Sequence, residues 1–203
     1  MKTHASFRRL GWLAALLLLA LPATAGAHTA ISGVGDFFGG VVHPLTTPAH
    51  VLVLLALGLL AGQHPPLNLK APLAVFIPFS AAGLLFTTTG LIKTVYPPVL
   101  IGLALVAGVA VALGKPLPAF AHAALFALAG LALGLDSAVE NGTPVAIAKT
   151  LAGTWLGLIL AVGDLGYYLS FLTRQKWQQT GLRVAGSWIT AASFMILAFA
   201  LRR

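Results

Sequence analysis

Apolar residues run along this chain in long uninterrupted blocks, without the two-residue alternation of a half-buried strand or the polar face of a soluble helix. A helix needs roughly 20 apolar residues to cross a bilayer, and about six stretches approach that length: 41 to 62, 71 to 91, 97 to 114, 119 to 135, 146 to 172 and 182 to 201. Between them lie QHPPLNLK (63 to 70), IKTVYPP (92 to 98), GKPLP (114 to 118), DSAVENGTP (136 to 144) and TRQKWQQT (173 to 180). These segments are polar or helix-breaking and too short to hold a soluble module. The pattern therefore predicts an all-α, polytopic membrane helix bundle of about six transmembrane helices. Small residues recur within the spans, as in GLALVAGVAVALG (102 to 114), and allow helix backbones to approach closely.

The first apolar run differs from the others. Lys2, Arg8 and Arg9 precede Leu10 to Leu21, and Ala25, Gly26 and Ala27 then form an A-x-A cleavage signal. Residues 1 to 27 are expected to be a secretory signal peptide, followed by a single transmembrane domain over 28 to 203; an uncleaved anchor helix is the alternative. Both put residue 28 outside the cytoplasm of a bacterial inner membrane. The loops at 63 to 70, 114 to 118 and 173 to 181 then fall inside, where Lys70, Lys115, Arg174, Lys176 and Arg183 lie. Arg202 and Arg203 fall outside in a six-span count, against that rule, and keep an odd count open.

Composition narrows the function classes. With 59% hydrophobic and 8% charged residues and a mean hydropathy of +0.96, the chain is no ordinary soluble protein. Without residues 1 to 27, nine of the twelve Lys and Arg face four acids, a net +5 scattered through short loops. That surplus orients a membrane protein and does not make a nucleic-acid surface. There is no cysteine, which excludes disulfides and thiolate metal sites, so any metal must use imidazole, carboxylate or backbone. No nucleophile elbow, phosphate loop or HExxH is present, and no enzyme is expected.

Candidate chemistry concentrates at one end. Asp36, Asp136 and Glu140 share the outer side with His28, His43 and His50 in this topology. His43 and His50 are seven residues apart, near the same face of a continuous helix but about 10 Å apart along it. Metal–nitrogen bonds of about 2 Å then require a break, which Pro44 and Pro48 can supply. In the other arrangement Pro44 starts the helix and the histidines lie at the interface. The candidate metal ligands are His43, His50, Asp36 and His28. Asp136 and Asp164 are candidates for a transport path, Asp164 because an ionisable group within an apolar stretch is costly unless it is paired, hydrated or protonated, which makes it a functional candidate; if that helix ends near Val162, it is interfacial. His122 falls at the inner end, a membrane thickness from His43, and His64 in a solvated loop.

The segment GVGDFFGGVVHPLTTPAHVLVLLALGLLAGQ (33 to 63), with His28 just before it, resembles the HupE/UreJ family of hydrogenase and urease accessory membrane proteins. The family's first helix carries His-Pro, two variable residues, Gly, one variable residue, then Asp-His and an apolar run. His43, Pro44, His50, Gly58 and Gln63 match, with Pro48 between the histidines. Thr47 stands at the glycine position and Ala49 at the aspartate. A second family motif, His-Gly-x-Ala-His-Gly-x-Glu, falls on AGLALGLD (129 to 136). There Gly130, Ala132 and Gly134 match and Asp136 replaces the glutamate, while Ala129 and Leu133 occupy the histidine positions. The RVAG at 183 to 186 is similar to the family's last helix. The resemblance implies six helices after a cleaved signal and a permease for a divalent cation, nickel or else cobalt, as a transported ion and not a resident cofactor. Its implied partners are the lipid bilayer, the metal ion, a hydrogenase or urease maturation system and a second copy of the chain. The departures leave a second reading, a non-transporting membrane protein that serves as an interaction or assembly module.

Overall fold

The computed structural model describes residues 35–64, 67–91, 95–173 and 175–202; His28 and the expected signal peptide lie outside them. Among the described residues seven α-helices follow one another: α1 (Asp36–Thr46), α2 (Pro48–Gly62), α3 (Lys70–Thr87), α4 (Pro97–Leu113), α5 (Ala119–Leu135), α6 (Pro144–Ser170) and α7 (Lys176–Ala200), with a 3₁₀ turn at Phe171–Thr173. No strand occurs among the described residues. The all-α bundle inferred from the apolar blocks is what the chain forms.

The helix limits follow from local sequence. Pro48, Pro97 and Pro144 start α2, α4 and α6, where the missing N–H costs nothing and the fixed φ favours the helix. The Thr143 hydroxyl accepts the Ala146 N–H at the head of α6, and Gln175 and Gln178 form a reciprocal capping box at the head of α7. Gly114, at φ 65°, ends α4 in the left-handed conformation.

Helices pair through small residues. A Cβ on Gly83 of α3 would strike the Leu131 carbonyl and one on Gly134 of α5 the Ser80 carbonyl, so the two backbones are in direct contact. Gly153 and Gly157 of α6 bear the same relation to Phe37 and Val41 of α1. Gly130 meets the Phe76 carbonyl; Gly130 and Gly134 thus act in packing. α4 lies on α7, and α2 runs between α4 and α6. Ten of the fifteen residues of α2 are buried, from His50 to Gly62, as expected of a helix that is apolar all round.

The outside of the bundle is apolar too: Leu91, Phe120, Trp188 and Phe199 are largely exposed. Such a surface suits lipid and not water. Among the described residues three helices, α3, α6 with its 3₁₀ turn, and α7, are long and apolar enough to cross a membrane, and α1 with α2 makes a fourth if counted as one span. α4 and α5 are apolar but have 17 residues each, the short limit for a crossing.

The first span is broken. α1 and α2 meet at Thr47 with a bend of 75°. Pro44 lies inside α1 and is buried, so the alternative in which it starts the helix does not hold, and Pro48 starts α2 instead. Proline restricts the residue before it to extended backbone, and Thr47 sits at φ −92°, ψ 113°. The Thr46 and Thr47 hydroxyls and the Thr47 N–H all donate to the His43 carbonyl, at 3.0, 3.1 and 3.2 Å, which closes the end of α1.

Candidate functional site

The break at Thr47 converts sequence neighbours into spatial ones. Without it His43 and His50 would be about 10 Å apart along one helix; with it their ring centroids are 5.5 Å apart, edge to face at 88°. His43 is half-buried and His50 is fully buried.

Asp136 completes the arrangement from another part of the chain. It caps α5, directly after Leu135, and its Oδ2 lies 3.0 Å from His50 Nε2. Its Oδ1 accepts the Val95 N–H at 3.1 Å, so one carboxylate joins α2, α5 and the approach to α4.

The pairing fixes where the imidazole proton lies. A carboxylate only accepts, so neutral His50 must carry its hydrogen on Nε2. Nδ1 then holds a lone pair, and this buried atom has no hydrogen-bond partner. A carboxylate that orients a histidine so that the other nitrogen points a lone pair at a metal is the usual outer support of a metal ligand. The end of α5, with its excess of carbonyl oxygens, adds partial negative charge beside Asp136.

The other sequence candidates are not gathered here. Asp36 is exposed at the first residue of α1, about 10 Å along the helix from His43. Asp164 lies in α6, which continues past Val162 to Ser170. Its side chain is exposed on the outside of the bundle, one turn before the edge-packed rings of Tyr167, Tyr168 and Phe171. Glu140 is exposed in the loop after Asp136. Among the described residues no three of His, Asp and Glu come together as a metal-holding group.

The family positions that depart from the motif are filled with apolar packing. Ala129 and Leu133 are fully buried in the core, and Ala49 packs against it from a half-buried position. The contact between His50 and Asp136 is what sequence reasoning missed. The 86 residues between them hide it, and the one available signal was that Asp136 falls where the family motif ends in an acid.

A bundle of apolar helices, with its first span bent so that two imidazoles meet and one of them is paired with a carboxylate, defines a helical membrane protein with a buried polar site at one end. The chain belongs to the HupE / UreJ protein family, whose model matches residues 15–196. Membership makes it a membrane accessory or nickel- and cobalt-transport-related protein. No curated protein and no solved structure gives a significant match.

Proposed function

We propose that this protein is a permease that passes a divalent transition-metal cation, nickel by family analogy and cobalt as the second candidate, through the broken first span. The observation that carries the reading is that buried His50 Nδ1 has no hydrogen-bond partner, with Asp136 behind the ring on Nε2 and the His43 ring beside it. Imidazole suits nickel, and cobalt almost as well. Two imidazoles with solvent completing the shell form a weak site, which suits a cargo that must also leave. In the same reading, residues 1 to 27 are removed as a signal peptide, the six apolar segments cross a bacterial inner membrane, and the histidine end faces outward. With no nucleotide motif in the sequence, movement is passive or coupled to another ion. The metal would serve a hydrogenase or urease maturation system. His28 and Asp36 lie before the break as outer groups that attract cations, and Asp164 stands toward the far end.

A specific observation favours the second reading, an assembly module without transport: the apolar packing of Ala129 and Leu133 removes the imidazoles that the family motif places in α5. Nickel and cobalt accumulation in cells separates the two. Wild-type protein should raise uptake, and His43→Ala with His50→Ala should return it to background at equal membrane levels. Background uptake by both would reject the permease and leave the assembly role, and equal uptake above background would reject the histidine pair as its path.

A further inference from the structure

A second polar feature lies at the opposite end of α2. Gln63 follows α2, thirteen residues and about 20 Å along the axis from His50. There it borders a cavity of about 380 Å³ lined also by His64, Lys176, Gln179, Thr180 and Arg183. That volume is within the ordinary range of small-ligand sites.

The lining is ordered by helix geometry. Positions 176, 179, 180 and 183 follow the i, i+3, i+4, i+7 pattern of one helix face, so the first two turns of α7 present exposed Lys, Gln, Thr and Arg side chains along one wall of the cavity. Several of these groups are held in place. Arg183 Nε donates to the Ala112 carbonyl at 3.0 Å, and its alkyl stem covers Gly114, where a Cβ would come within 2.9 Å of Cδ. Gln179 Nε2 donates to the Thr173 carbonyl at 2.8 Å. The Gln63 amide donates to His64 Nε2 at 3.0 Å, so His64 is left with Nδ1–H as a donor.

The charge selects the ligand. Lys176 and Arg183 contribute two fixed positive charges, and none of the four acids of the chain lines the cavity. A cation leaving the bundle would be repelled here. Arg183, with Nε committed to Ala112, still has both Nη groups, the pair that grips two oxygens of a phosphate. We propose that this cavity binds a phosphate-bearing anion, held between Arg183 and Lys176 with the second N–H of the Gln179 amide at its side. The two sources of that chemistry are the headgroup of an anionic phospholipid and free phosphate. Basic pockets between helices at a membrane face suit the first.

The test uses the full chain in lipid nanodiscs of mixed phosphatidylglycerol and phosphatidylcholine, released for native mass spectrometry, with inorganic phosphate titrated separately into pure phosphatidylcholine discs. Each basic side chain near the surface should be worth about fivefold in anion retention, so Lys176→Gln should lower it by about that factor and K176Q with R183Q further. Lys149→Gln, on exposed α6 surface, should change nothing. The Lys176 carbonyl accepts the Thr180 hydroxyl, but its ammonium is in no hydrogen bond or ion pair among the described residues, so K176Q tests binding without disturbing the Arg183 contact. Preferential phosphatidylglycerol retention that K176Q reduces supports a lipid headgroup. Saturable phosphate binding that K176Q reduces, with no lipid preference, supports a free anion. Absence of both, or retention that K176Q leaves unchanged, overturns the proposal.

Discussion

Replacing Asp136 separates its roles. In Asp136→Ala the His50 Nε2–H and the Val95 N–H both lose their acceptor. Hydrogen bonds between membrane helices average about 0.6 kcal/mol and reach about 1.7, while an unpaired buried donor costs about 1–3 kcal/mol. Val95 is half-buried and water can replace its acceptor, and Asp136 itself is 19% exposed; fully buried His50 has no such recourse. The loss should therefore come mainly from one bond, about 1–2 kcal/mol, read from SDS-induced unfolding in mixed micelles. Asp136→Asn gives a different result. If its carbonyl stays on Val95, its NH₂ faces His50 Nε2, which must then accept, and the proton moves to Nδ1. Stability should fall by less than in D136A, yet the lone pair is lost and metal uptake with it. ¹⁵N shifts of the His50 ring read the tautomer directly. Equal unfolding of D136A and wild type, or a D136N protein that keeps Nε2–H together with full uptake, would refute the reasoning.

Pro48→Ala frees Thr47 from the restriction to extended backbone, so α1 and α2 should straighten; spin labels at exposed Leu45 and Leu55 would report the wider separation, and uptake should fall while the protein still folds. Ala49→Asp restores a carboxylate beside the break, and metal retention in a filter-binding assay should tighten by about tenfold, the equivalent of about 1.4 kcal/mol; unchanged retention would show that position 49 does not face the site. Gly134→Leu drives a side chain into the Ser80 carbonyl and the Leu84 amide and should abolish the α3–α5 contact, seen as loss of monodisperse protein, whereas Gly102→Leu, with open space at its Cβ, should be tolerated.

The fold was legible because hydrophobicity in a bilayer is read locally: each apolar block between polar breaks after the first becomes one helix, and the predicted limits at 97, 119 and 135 agree with those observed. The bend in the first span was legible only as a condition, since two prolines permit either a start or a break. The structure decides it at Thr47, by the restriction that Pro48 places on its predecessor and not by the ring of Pro44. What could not be read was the partner of His50. No periodicity relates position 50 to position 136, and a carboxylate in the outer loop pattern looks the same whether it faces water or an imidazole. The Gly83–Gly134 contact supplies the link, because it fixes α5 against α3 so that the end of α5 carries Asp136 to the start of α2. The small-residue packing of the spans and the polar site at their mouth are in this sense one design: Ala129 and Leu133 let α5 pack as a dry helix, and its single acid, at the cap, is the group that reaches the histidine pair. A chain that kept the motif histidines in α5 would place imidazoles in that core, whereas here the polar chemistry is confined to the break and the α5 cap.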